Sequence, residues 1–336
     1  MEQTPPVRRR RRREREWPPI ELGFFFLTVL LALVMTVTGV AMLVDALRGD
    51  QPAGTVTVGQ TDGDTQNQDD EASAQSGQTD GGKTDSESAE SADTSDLAQY
   101  AGASGYAGQL YALLEDHPEA AYVLRNLSLY PDEILDFVIR YPEAMPFAAS
   151  YPDYINGNLS LEIDLSEEGA SDTVPLLIQW DSRWAYRNYG DGLFGYTGCG
   201  PTCLSMVALY LNGWDNNDPY TIAQYADENG YYYNGSGSAW TLMSEASAHF
   251  GLTATELTLD ENRIIEALES GEPVVCAMGE GDFTDNGHFI VLTGYTEGQG
   301  FTVNDPNSPS NSARTWTFDE ISDQINNLWS FRSSEG

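Results

Sequence analysis

The chain has 336 residues and a formal net charge of -36 at pH 7, with only three cysteines and three histidines. Three cysteines in this length exclude a disulfide scaffold, so stability is expected from ordinary apolar cores. The first sixteen residues hold seven arginines against three glutamates, a net of +4, and leave -40 on the remainder; such a surface excludes nucleic acid as a partner and is read as a means of solubility.

In chain order, residues 1–21 form an arginine-rich tail with a run from Arg8 to Arg13 and a further Arg15. Residues 22–44 carry no charge, and at about 1.5 Å per residue they span the roughly 30 Å hydrocarbon layer. The segment is predicted to be a transmembrane helix, uncleaved because no small-x-small site follows it. Beside such a span the arginines are the positive-inside flank. The expected topology is a bacterial single-pass protein with its N-terminus in the cytoplasm and all the rest extracellular. Residues 45–96 follow as an acidic linker, poor in large apolar side chains, that buries no core and acts as a tether.

Residues 97–170 regain apolar content. His117-Pro118, Tyr130-Pro131, Tyr141-Pro142 and Tyr151-Pro152 precede acidic and apolar residues, and proline with acids suits the first turn of a helix. Several short helices are expected, as an accessory unit or a brace for the half that follows. In residues 171–336 further helices are predicted over 221–229, 239–250 and 261–270. Strands are expected around Pro273, His288, Phe301, 314–318 and 328–332, giving an α+β domain with an antiparallel sheet.

Cys199 stands in Thr197-Gly198-Cys199-Gly200-Pro201-Thr202, ahead of an apolar helix in which Leu204, Val207, Ala208 and Leu211 share a face and which Gly213 ends. Pro201 suits its first position. A thiol at a helix N-terminus is favoured as thiolate, although Gly-Cys-Gly also serves as plain turn geometry. A cysteine nucleophile needs an imidazole and a group to orient it. His117 and His249 lie in helical settings without catalytic character. His288 opens the β-branched run Phe289-Ile290-Val291-Leu292, and Asp305 closes the next strand before Pro306. As neighbours in a hairpin, the start of one strand meets the end of the other, which lets His288 and Asp305 meet; the plainer alternative is a rim histidine and an Asx-Pro turn.

Val174-Pro175-Leu176-Leu177-Ile178-Gln179-Trp180-Asp181-Ser182-Arg183-Trp184, Gly198-Cys199-Gly200-Pro201-Thr202, Gly287-His288-Phe289-Ile290-Val291 and Asn304-Asp305-Pro306 together resemble, in this order, the stand-alone relatives of the bacteriocin-processing, double-glycine cysteine peptidases. The resemblance implies a papain-like fold, Cys199 as nucleophile, His288 as base and later acid, Asp305 as the group that orients the imidazole, and Gln179 as an oxyanion donor beside the Cys199 N–H; a solvent-facing strand residue is the alternative for Gln179. It implies a peptide or protein substrate, with neither cofactor nor metal required.

Cys203 and Cys276 read as small core residues, with a disulfide between them possible but not deducible. The expected function is a membrane-anchored extracytoplasmic cysteine peptidase. A cell-wall peptide amidase or transpeptidase shares location and chemistry, and a non-catalytic peptide-binding module is the reading from another class.

Overall fold

The computed structural model describes residues 94–335. The expected tail 1–21, membrane helix 22–44 and nearly all of the linker 45–96 lie outside the described residues, among which no helix is long and apolar enough to cross a membrane.

The first described element is a 3-10 turn at Ser95–Tyr100, which takes in the last two residues of the expected linker; Asp96 pairs with Arg125 at 2.8 Å. Four helices follow: α1 Gly105–Ala112, α2 Ala120–Arg125, α3 Asp132–Arg140 and α4 Met145–Ile155. Pro131 caps α3, whose first turn holds Asp132 and Glu133, and Pro142 starts the 3-10 turn Pro142–Ala144 that runs into α4. Tyr151-Pro152 departs from the expectation. It starts no helix and lies inside α4, with Pro152 buried. An interior proline costs about 3 kcal/mol; here it is held by packing, since Tyr186 stacks between Phe147 (4.8 Å, 21°) and Tyr154 (4.5 Å, 13°) of the same helix. Each such aromatic pair adds about 0.5–1.5 kcal/mol beyond its area. Tyr186 and Ala185 thereby enter the core of the helical unit, alongside Leu110, Leu124, Ile134, Val138 and Phe147.

The second half is built on helix α5, Cys199–Asn212, and a six-stranded antiparallel sheet. Its strands are β1 Leu252–Glu256, β2 Val274–Met278, β3 His288–Thr296, β4 Gly300–Asn304, β5 Thr315–Trp316 and β6 Ile325–Ser333, in the spatial order β1-β6-β2-β3-β4-β5. Alternation along the strands divides two cores. Val275, Ala277, Phe289, Val291, Trp329 and Phe331 face α5. Cys276, Ile290, Leu292 and Leu328 face the opposite layer with helix α7, Glu261–Glu269. Helix α6, Pro219–Glu228, packs beside α5, and Asp218 caps it by accepting from the N–H groups of Tyr220 and Thr221.

Three sequence expectations are corrected. Helix α5 begins at Cys199, so Pro201 is its third residue, where an N–H is still not needed. The helix expected over 239–250 breaks at Glu245 into Thr241–Ser244 and the 3-10 turn Ala246–Phe250. Strand β1, which follows Gly251 in the left-handed conformation, was not expected: it is a half-exposed edge strand paired only with β6 and lacks the apolar run of the central strands.

Candidate active site

Close packing fixes the backbone around Cys199. A Cβ on Gly198 would stand 2.2 Å from the Phe194 ring, and one on Gly200 2.5 Å from Ser238 Oγ. Glycine on both sides of Cys199 is thus a requirement of space, and it leaves the thiol partly exposed at the first position of α5.

His288 opens β3 opposite Met278 of β2, and Asp305 follows directly on β4, whose pairing with β3 sets Asn304 against Val291. The hairpin brings the two together: His288 Nε2 lies 2.7 Å from Asp305 Oδ1, with the residues 8% and 1% exposed. The carboxylate has further donors, the Asn307 N–H on Oδ1 at 2.9 Å and Asn311 Nδ2 on Oδ2 at 2.9 Å. The Asp305 N–H donates to Ser312 Oγ at 2.9 Å. Burial is the largest influence on the His288 imidazole and disfavours its charge, but the charge and hydrogen bond of Asp305, followed by those of Cys199, outweigh it and raise the pKa to about 10. The imidazolium is therefore the stable form at neutral pH.

Gln179 is 3% exposed and lies in a turn, which removes the solvent-facing strand alternative. Its N–H donates to Pro306 O at 2.8 Å, and Trp180 Nε1 donates to Asn307 O at 3.3 Å, so this segment is stitched to the Asp305 loop. Gln179 Nε2 donates to Gly195 O at 2.9 Å, in the turn ahead of Cys199. A primary amide carries a second N–H, and Oε1 is buried without a partner among the described residues.

A cleft of about 670 Å³ opens over Cys199 and His288, walled by Tyr196, Trp240, Met278 and Asn286. Trp240 is 48% exposed. Gln179 and Asp305 are nearly fully buried beside this cleft.

All three cysteines are free. Cys203 packs with the core under α5, whereas Cys276 points to the opposite face of the sheet, so no disulfide joins them. Burial pushes both thiols up, which makes them inert. His249 stacks on Tyr225 at 4.0 Å and His117 lies in the connection between α1 and α2, both outside the cleft. Sequence reading missed Asn311, Ser312 and Trp240. Only the density of Asn, Ser and Pro after Asp305 hinted at a loop that hydrogen-bonds to itself.

Residues 171–334 match the model of the Peptidase_C39 like family. Two solved structures are similar to the chain. One is the peptidase domain of Streptococcus ComA, a bi-functional ABC transporter involved in a quorum sensing pathway, with 15% identity over 47% of this chain and 96% of that one and a TM-score of 0.33. The other is a double glycine motif protease from an AMS/PCAT transporter in complex with the leader peptide, with 18% identity over 48% of this chain and 93% of that one and a TM-score of 0.33. A comparison with curated proteins gives no match.

Proposed function

We propose that residues 171–334, which match the Peptidase_C39 like family, are a cysteine peptidase that hydrolyses peptide bonds through a Cys199–His288–Asp305 unit. The observation that carries the reading is the buried 2.7 Å pair of His288 and Asp305, with Cys199 in the same cleft and acting on the same imidazole. Asp305 occupies Nε2, which leaves Nδ1 to face the thiol. The Cys199 thiolate attacks the scissile carbonyl, and the His288 imidazolium hands its proton to the departing amine as the C–N bond breaks. The thioester so formed is cleaved by water, from which His288 takes a proton; the acid departs, and the Cys199 thiolate and the His288 imidazolium are restored. The oxyanion is met by the Cys199 N–H and the second N–H of Gln179.

The uncharged run at 22–44, preceded by arginines, supports a single-pass anchor with the peptidase outside the cytoplasm on an acidic tether. A peptide or protein substrate is then met outside the cell. The test is turnover of a peptide library and of purified cell wall by the full chain and by Cys199→Ala and His288→Ala. Peptide cleavage that vanishes in both variants supports the reading. Cleavage confined to cell-wall peptides makes the enzyme a cell-wall amidase, and turnover by Cys199→Ala overturns the nucleophile.

A further inference from the structure

The region outside the family match touches the loop that follows Asp305 through a carboxylate. Glu143, in the turn between α3 and α4, accepts from Ser308 Oγ at 3.0 Å and from the Ser310 N–H at 3.2 Å with the same carboxylate oxygen. Ser308 is also the cap of the single helical turn Pro309–Ser312, its Oγ accepting from the Asn311 N–H at 3.1 Å. That turn presents Asn311 Nδ2 to Asp305 Oδ2 and Ser312 Oγ to the Asp305 N–H, both at 2.9 Å. An unbroken series of hydrogen bonds thus runs from the helical unit through Ser308 and Asn311 to Asp305 and on to His288. Besides Glu143 the turn is held by Trp316 Nε1, which donates to Asn311 O at 3.0 Å, while its residues 309 and 310 are exposed. The same unit has two other contacts nearby. Phe137 of α3 packs on the cleft residue Tyr196 with centroids 4.9 Å apart, and Arg140 pairs with Asp285 in the loop before His288.

We propose that the helical unit of residues 95–155 is a brace for the loop that carries Asp305, and that Glu143 is its positioning residue, acting on His288 through Asn311 and Asp305. This rests on the peptidase reading above and assigns the helical region a part in that reaction. Glu143 touches no substrate. Its effect is on how firmly the carboxylate is held against the imidazole, and an error on the order of 1 Å in such a placement costs up to about a hundredfold in rate.

The test uses the full chain and a fluorogenic peptide chosen from the library. Glu143→Ala is expected to lower kcat about tenfold with little change in KM, and to move the alkaline limb of the pH profile down, because a loosened Asp305 no longer holds the His288 proton. Glu143→Gln keeps an oxygen that accepts from both donors and is expected to restore kcat and the limb. Arg140→Ala removes an exposed ion pair and is expected to leave the limb where it is. The unfolding midpoint is recorded for each variant. The proposal is overturned if Glu143→Ala keeps the wild-type kcat and limb, if Glu143→Gln loses as much as Glu143→Ala, or if Arg140→Ala shifts the limb equally. Cys199→Ala is the control that separates the two readings: turnover there defeats the peptidase reading, whereas a dead Cys199→Ala beside a wild-type-like Glu143→Ala defeats only the brace.

Discussion

Replacing Asp305 with Asn leaves the volume of the side chain and removes the charge that holds the His288 proton. In the native site burial opposes protonation and Asp305 is the main force against it, with the result that the imidazole pKa stands at about 10. Without the carboxylate, burial is opposed by Cys199 alone, and the imidazole falls toward its ordinary value of 6.5. At pH 8 the imidazolium fraction then drops from about 99% to about 3%, while at pH 5.5 about nine-tenths is retained at a pKa of 6.5. The defect in kcat/KM is therefore expected to be about thirtyfold larger at pH 8 than at pH 5.5. The assay is kcat/KM on a fluorogenic peptide from pH 5 to pH 10 for both proteins. The wild-type alkaline limb should lie near pH 10 and the variant limb some three units lower. Parallel profiles separated by a constant factor would refute the argument that Asp305 acts by holding the proton.

Further changes probe the rest of the site. Gln179→Ala should lower kcat by about 10² to 10³ while Cys199 still reacts with electrophiles, since one oxyanion donor is lost and the thiol is intact; an unchanged rate would return Gln179 to a purely structural part between Gly195 and Pro306. Gly200→Ala drives a Cβ to 2.5 Å from Ser238 Oγ, which itself pairs with Tyr189 OH at 2.8 Å, and should cost about 1–3 kcal/mol in chemical denaturation; wild-type stability would mean that Ser238 moves freely. External protease on intact protoplasts should release an active soluble fragment by cutting between residues 49 and 94; a protected peptidase half would invert the proposed orientation.

The parts of the site that were legible in the sequence are those held by local geometry. A histidine and an aspartate at one end of a hairpin are juxtaposed by the rules of sheet pairing, and a glycine-flanked cysteine before a helix is placed by those of helix starts; that Cys199 meets the pair depends on how the helix packs on the sheet and came from the family resemblance. The parts that were missed depend on contacts across the chain. Nothing at Glu143 marks it as a partner of Ser308, 165 residues on, and the face to which Cys276 points is decided by strand register, where one residue reverses the answer. Pro152 was misread for the same reason: its place inside α4 depends on Tyr186, a residue of the other half.

The central claim is that Cys199 alone among the three thiols is an activated nucleophile, and its most direct test is competitive modification by a peptidyl electrophile with site mapping by mass spectrometry. Cys199 should be modified to one equivalent at neutral pH, at a rate that His288→Ala lowers by orders of magnitude, while Cys203 and Cys276 remain unmodified in the folded protein. Modification of Cys199 at the rate of an ordinary exposed thiol, indifferent to His288→Ala, would contradict the account.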